Sequence, residues 1–156
     1  MAFTYFVVGS GSIGRRHFAN LKTMGKSAEL LSWRSFGAQG ITQKLASRTG
    51  NAAVIIATAT DIRTELVAIC AAHRAPMYIE KPLAFTRADF DKIYSINADL
   101  QKRSMVGFML RYHPLTDFLV SFTGQRFFRL HLEIGHDVRQ WRENWRFAES
   151  YAARAQ

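Results

Sequence analysis

The sequence predicts an α/β fold built on a doubly wound parallel sheet, in which short apolar strands alternate with helices. Three apolar runs of strand length, Phe6–Val8, Ala52–Ala57 and Met105–Leu110, are separated by longer segments. The middle run is hydrophobic without alternation, which indicates a central parallel strand covered on both faces. The first run leads directly into a G-x-G-x-x-G turn, Gly9–Gly14, that opens a helix. These features predict a Rossmann-type domain over residues 1–110.

The glycine-rich turn predicts a site for the diphosphate of a dinucleotide. Gly9 permits the tight turn, Gly11 lets the backbone approach the phosphates, and Gly14 lets the helix pack closely on the strand. The diphosphate then faces free N–H groups and the positive end of the helix dipole. The predicted contacts in this turn are Gly9, Ser10, Gly11, Ser12, Ile13 and Gly14. A glycine-rich β-turn is the alternative interpretation.

The first helix and the second strand follow this turn. Helical spacing relates four residues, Ile13, His17, Leu21 and Met24. Residues 28–33 then predict a strand, whose tip carries Arg34 and Ser35 where an acid typically bonds the adenosine ribose. A guanidinium and a small hydroxyl suit a 2′-phosphate, so we expect both residues to contact the cofactor and NADP to be weakly preferred over NAD. A merely solvated Arg34 is the alternative.

The polar turn after the central strand forms part of the predicted ligand edge. A short helix at 42–47 precedes that strand, and residues 58–61 follow it. Open α/β sheets bind ligands at the carboxyl ends of their strands. We therefore predict cofactor contacts from Ala57, Thr58 and Thr60. Asp61 is expected to cap the next helix, whose apolar face holds Leu66, Val67 and Cys70.

Two further strands complete the predicted sheet. Residues 77–79 form a short strand that ends at Glu80-Lys81-Pro82. Residues 86–89 resemble a capping box and begin a long helix that reaches about residue 103. The strand at 105–110 then ends at Arg111-Tyr112-His113. Three strand ends thus deliver polar groups to one edge of the sheet.

The sequence changes character after Pro114. Residues 115–122 predict a helix, and residues 126–134 predict a strand with alternating apolar side chains. Residues 111–156 are therefore interpreted as the incomplete start of an α+β domain with an open, mostly antiparallel sheet. The aromatic, basic tail around Trp141 and Trp145 makes nucleic-acid binding a possible function, but a disfavoured one.

Composition fits a folded, cofactor-binding protein. The 156 residues are 48% hydrophobic and carry a net charge of +9. Residues 1–50 hold seven Lys or Arg against the single acid Glu29, so the excess surrounds the predicted diphosphate turn. The only cysteine, Cys70, is expected to be a buried small hydrophobe. We expect a cytoplasmic protein without a membrane span, a metal site or a nucleic-acid partner.

The strand ends and the opening glycines together resemble the glucose-fructose oxidoreductase/inositol dehydrogenase (Gfo/Idh/MocA) family. The matching stretches, in the order typical of the family, are VVGSGSIGRRHFANL, VIIATATDIRTEL, YIEKPLA and MVGFMLRYHPL. The E-K-P signature after a strand is the most specific of them. The resemblance covers about residues 3–150.

The resemblance implies an oxidoreductase that moves hydride between nicotinamide and a carbinol or carbonyl carbon of a sugar-like or cyclitol substrate. It implies that Glu80-Lys81-Pro82 borders the nicotinamide, with Lys81 as the catalytic residue, Glu80 beside the cofactor and a cis peptide before Pro82. Arg111 resembles the family arginine near the cofactor. His113 is interpreted as a domain-junction residue.

Three departures from the family qualify this expectation. Ala59 replaces a usual proline, and Arg63 stands at a usual histidine. Family members are about twice as long, so the sequence predicts either a fragment or a short form that needs a partner, and self-association through the open sheet is expected. The alternative function is a non-catalytic dinucleotide-binding module or subunit.

Overall fold

The computed structural model describes residues 3–122, 124 and 131, and the chain divides into two compact units, Met1–Met109 and Leu110–Gln156. The first unit alternates strands and helices. Its strands are β1 (Thr4–Val8), β2 (Ala28–Leu31), β3 (Ala52–Ile56), β4 (Met77–Glu80) and β5 (Met105–Gly107). Its helices are α1 (Ser12–Thr23), α2 (Trp33–Ala46), α3 (Arg63–Ala72), α4 (Arg87–Tyr94) and α5 (Ala98–Lys102).

The five strands form one parallel sheet in the order β2-β1-β3-β4-β5. The predicted Rossmann-like α/β class is therefore confirmed. Strand order reverses between β1 and β3, and open α/β sheets bind ligands at the carboxyl ends of strands at such a point. Because Val8 pairs with both Leu31 and Ile56, the strands that flank this switch point end level with one another.

The core lies where the central strands meet the helices that cover them. Val54 and Ile56 of β3 are fully buried, together with Leu66 and Cys70 of α3. The predicted central position of β3 is confirmed by its pairing with β1 on one side and β4 on the other. Burial raises the pKa of the Cys70 thiol to about 12, as expected for a cysteine that serves as a core hydrophobe.

Several predicted boundaries are wrong for local reasons. β2 ends at Leu31, and Ser32 precedes a helix, so Trp33 is helical and the predicted 42–47 helix is only the end of α2. Gly37, at φ 55°, kinks α2. Asp61 does not cap α3, because a 3-10 turn at Thr60–Ile62 comes first.

The predicted helix from residue 86 to 103 consists of two helices. The Thr86 hydroxyl accepts a hydrogen bond from the Asp89 N–H, which confirms the predicted capping residues. The helix ends at Tyr94, and the Asn97 side chain caps α5. The predicted strand at 105–110 is also shorter, since a 3-10 turn begins at Met109.

The second unit contains α6 (Pro114–Val120), which confirms the helix predicted at 115–122. His113 caps it, since its Nδ1 accepts a hydrogen bond from the Leu115 N–H at 3.1 Å. The predicted strand at 126–134 and the aromatic tail lie outside the described residues. Among the residues that are described, none belongs to a helix with the length and apolar character that a membrane crossing requires.

Candidate dinucleotide site at the carboxyl edge

Two glycines of the β1–α1 turn are required by close packing. Gly9 has φ 121°, and a Cβ placed on it would lie 2.4 Å from the Ala57 carbonyl oxygen. A Cβ on Gly14 would lie 1.6 Å from the Gly9 carbonyl oxygen. A side chain on Gly9 would force the turn away from the carboxyl end of β3, and one on Gly14 would force α1 away from the turn. These contacts give Gly9 and Gly14 the packing functions predicted from the sequence.

Gly11 differs because its missing side chain leaves open space. It is the N-cap of α1, and a Cβ on it would meet no atom within 4 Å. The N–H groups of Ser12, Ile13 and Gly14 form the first turn of α1, where an α-helix supplies no acceptor for them. That first turn contains no acidic residue. The turn therefore offers free donors, and a positive dipole end, beside an accessible volume.

The turn itself is held by hydrogen bonds on both sides. The Gly9 N–H donates to the Leu31 carbonyl at 2.9 Å, and the Ala57 N–H donates to the Val8 carbonyl at 2.8 Å. The Arg15 Nε donates to the Ser10 carbonyl at 2.9 Å. These bonds join the turn to the ends of β2 and β3, so its donors are fixed before any ligand arrives.

The segment after β3 contains two buried threonines. Thr60 lies in the 3-10 turn and is 3% exposed. Thr58 is 9% exposed, and its hydroxyl has no hydrogen-bond partner among the described residues. An unpaired buried hydroxyl costs free energy unless a ligand or a water satisfies it. Ala57 and Thr58 thus lie at the carboxyl end of β3, as predicted.

Arg63 ties the ends of β3 and β4 together. Its side chain is buried at 4% exposure, and its Nη2 donates to the Thr58 carbonyl at 2.8 Å. Its Nη1 donates to the carbonyl oxygens of Glu80 and Pro82. The guanidinium therefore binds the backbone on both sides of Lys81. Sequence reasoning noted Arg63 only as a departure from a family pattern and missed this contact.

Glu80 is held by a histidine of α1. The His17 Nε2 and the Glu80 Oε1 are 2.8 Å apart, with both side chains largely buried. The His17 ring also makes an edge contact with Tyr78, with centroids 5.2 Å apart. The Glu80 carboxylate thus joins α1 to β4, and His17 is a second site residue that sequence reasoning missed. A histidine among the apolar positions of a helix was the available signal.

Lys81 lies immediately beyond β4 and is half-buried. The Lys81–Pro82 peptide bond is cis, which confirms the expectation for Pro82. Because β3 and β4 are parallel neighbours, Lys81 and Ala57 lie at the same edge of the sheet. The structure thus brings the glycine turn, the Thr58–Thr60 segment and Glu80-Lys81-Pro82 to one edge.

Arg34 and Ser35 occupy a different setting from the predicted strand tip. Both are exposed and lie in the first turn of α2, directly after β2. That turn contains no acidic residue. They remain at the carboxyl edge because β2 is parallel to β1. Arg111 is exposed and belongs to the second unit, so its contact with a cofactor remains a prediction.

The residues present fit the diphosphate of a dinucleotide. Gly11 leaves the space, the first turn of α1 supplies donors, and the Thr58 hydroxyl is free to bond. Small residues at this turn admit an anionic group that a larger side chain would exclude. Lys81 supplies a cation at the same edge.

Solved structures share this fold, whereas no protein-family model and no curated protein matches the chain. A probable dehydrogenase from Thermotoga maritima is 24% identical, with a TM-score of 0.57, over 77% of this chain and 40% of that one. The WlbA dehydrogenase from Thermus thermophilus, in complex with NAD and UDP-GlcNAcA, is 19% identical, with a TM-score of 0.61, over 80% and 47%. Myo-inositol 2-dehydrogenase from Lactobacillus plantarum is 17% identical, with a TM-score of 0.57, over 78% and 41%.

The likeness to these three dehydrogenases confirms the resemblance predicted from the sequence at the level of the fold. The chain spans less than half the length of each of the three structures.

Proposed function

We propose that this chain binds a nicotinamide dinucleotide at the carboxyl edge of its sheet and acts as an oxidoreductase on a sugar-like or cyclitol substrate. The observation that carries the proposal is the open space at Gly11, beside the free donors of the first turn of α1. Structural neighbours solved with NADH or NAD and UDP-GlcNAcA support a nicotinamide cofactor and a sugar-like substrate.

The bound nicotinamide would supply or accept a hydride, and the chain's own residues would orient and polarise the substrate. Lys81 is the proposed catalytic residue, because its ammonium can donate a hydrogen bond to the substrate oxygen on the reacting carbon. Arg63 holds the carbonyl groups on either side of Lys81 and so fixes its backbone. The His17–Glu80 contact holds the end of β4 against α1.

Arg34 and Ser35 are proposed to contact the adenosine ribose and to favour NADP weakly over NAD. Support comes from the absence of acidic residues in the first turn of α2, where a carboxylate would repel a 2′-phosphate. Ala57, Thr60, Glu80 and Arg111 complete the proposed contact set. Self-association and a cytoplasmic location stay predictions from the sequence.

Quenching of tryptophan fluorescence during titration with NADPH and NADH tests the cofactor proposal. The Gly11→Val variant fills the open space, and we expect its affinity to fall at least about tenfold, or ~1.4 kcal/mol. Ala19→Val, at an exposed position of the same helix, should leave affinity unchanged. The proposal fails if neither dinucleotide binds below about 1 mM, which corresponds to ~4 kcal/mol.

Two further variants separate the finer parts of the proposal. Arg34→Asp should shift the ratio of NADP to NAD affinities toward NAD, and an unchanged ratio would remove Arg34 from cofactor selection. Lys81→Ala should abolish turnover while dinucleotide binding persists. A non-catalytic dinucleotide-binding module, the alternative, predicts wild-type binding without turnover on any sugar or cyclitol.

A further inference from the structure

A second cluster of cations lies at the opposite edge of the sheet from the candidate dinucleotide site. The loops before β3, β4 and β5 meet there, because these strands are parallel neighbours and their amino ends align. Together they line an open cavity of about 550 Å³, which we call the basic cavity. Its lining residues are Thr49, Gly50, His73, Arg74, Asp99, Lys102 and Arg103.

The charge of the basic cavity is strongly unbalanced. Arg74, Lys102 and Arg103 are basic, whereas Asp99 is the only acid among the described residues of the lining. Within the described part of the chain, none of these three cations makes a side-chain hydrogen bond or salt bridge. A smaller adjoining cavity of about 190 Å³ is also lined by Arg74 and Arg103. Because no described carboxylate pairs with these three cations, they are available to a ligand.

Helix ends explain why basic residues are tolerated here but not why one of them is in an unfavourable conformation. α3 ends at Ala72 and α5 at Lys102, and cations near helix C-termini are stabilised by the dipole. Arg74 has φ 54°, and it is the only non-glycine residue with positive φ in the described part of the chain. Glycine is the usual residue at such a position after a helix. An arginine there places a guanidinium at the basic cavity at the expense of backbone conformation.

We propose that the basic cavity binds a compact small molecule that carries a diphosphate or triphosphate group. Clustered guanidinium and ammonium groups are the side chains that bind phosphate oxygens best. The volume lies within the ~300–1,000 Å³ typical of small-molecule sites. The basic cavity is a concave pocket rather than a long groove, which favours a compact ligand over nucleic acid. The site is separate from the proposed dinucleotide site and does not depend on it.

Inorganic pyrophosphate is the probe, with backbone amide shifts as the readout by heteronuclear NMR. We expect the amides of Gly50, Arg74 and Arg103 to shift with a dissociation constant of about 1 mM or tighter. Because pyrophosphate can bind at both edges of the sheet, the amides of the glycine turn are followed separately. If the cavity amides shift but the amides of the glycine turn do not, the result counts against the dinucleotide proposal and not against the basic cavity.

Variants decide whether the cavity cations cause the binding. Arg74→Gly and Arg103→Gln should each weaken binding at the basic cavity by about fivefold or more. Arg74→Gly should keep its unfolding temperature within about 2 °C, because relief of the left-handed conformation offsets the added freedom of the unfolded chain. Arg87→Gln, which removes an exposed arginine outside the cavity, should leave binding unchanged.

Three results would overturn the proposal. The first is no shift at the cavity amides with about 10 mM pyrophosphate. The second is equal affinity in the wild type, Arg74→Gly and Arg103→Gln. The third is a short single-stranded oligonucleotide that shifts the same amides at about tenfold lower concentration, which would identify a nucleic-acid surface instead.

Discussion

Replacing Arg63 with methionine should destabilise the chain through three carbonyl groups. Arg63→Met keeps a long side chain in the buried site but removes the donors to Thr58, Glu80 and Pro82. A buried acceptor that loses its partner costs about 1–3 kcal/mol. The Thr58 bond is buried, whereas the other two are partly buried and open to replacement by water. We therefore expect a loss of about 3 kcal/mol in the free energy of unfolding.

Urea unfolding measures this loss. With an m-value of about 2 kcal/mol/M, the midpoint should fall by about 1.5 M while the m-value stays constant. The matched control is Arg87→Met, since the Arg87 side chain is 85% exposed and its ion pair with Asp91 lies on the surface. A midpoint for Arg63→Met within about 0.3 M of the wild type would refute the role of Arg63 as a link between β3 and β4.

Four other substitutions test the packing and the electrostatics of the first unit. Gly14→Ala should lower stability by about 1–3 kcal/mol in urea titrations, since the new Cβ meets the Gly9 carbonyl; wild-type stability would contradict the packing. The folded chain holds the Cys70 proton more tightly than the unfolded chain, because burial raises the pKa of this thiol from 9.0 to about 12. This contribution to stability is complete below about pH 9 and is lost as pH rises toward 12, so about 1.4 kcal/mol should disappear between pH 8 and pH 10. Cys70→Ala should show a correspondingly shallower fall in urea midpoint, and parallel pH curves would disprove the cause. His17→Phe should weaken dinucleotide binding and Glu80→Gln should weaken it similarly, while the double variant should lose less than the sum; additive losses would mean that the 2.8 Å contact is not coupled to the site.

The features that sequence predicted well are those with local causes. The Gly9–Gly14 turn, the unbroken apolar run of β3 and the Thr86 cap each depend on residues adjacent in the chain. The boundaries that failed depend on competition between neighbouring elements. Trp33 begins a helix although an aromatic residue suits a strand, and α4 is only eight residues long.

The site contacts that sequence reasoning missed depend on partners far along the chain. Arg63 bonds a carbonyl 17 residues away, and His17 meets a carboxylate 63 residues away. No local pattern specifies such pairs, because only the strand order brings their ends together. Arg63 stood out as an unusual residue, but its role required knowledge that the ends of β3 and β4 lie side by side.

The length of the strands separates the basic residues at one edge of the sheet from those at the opposite edge. β3 is five residues long, which corresponds to about 16 Å. That span is about twice the ~8 Å over which ions at physiological strength screen a charge. Two anions bound at opposite edges of the sheet would therefore repel one another only weakly. Both could bind at once, and their binding free energies would be additive.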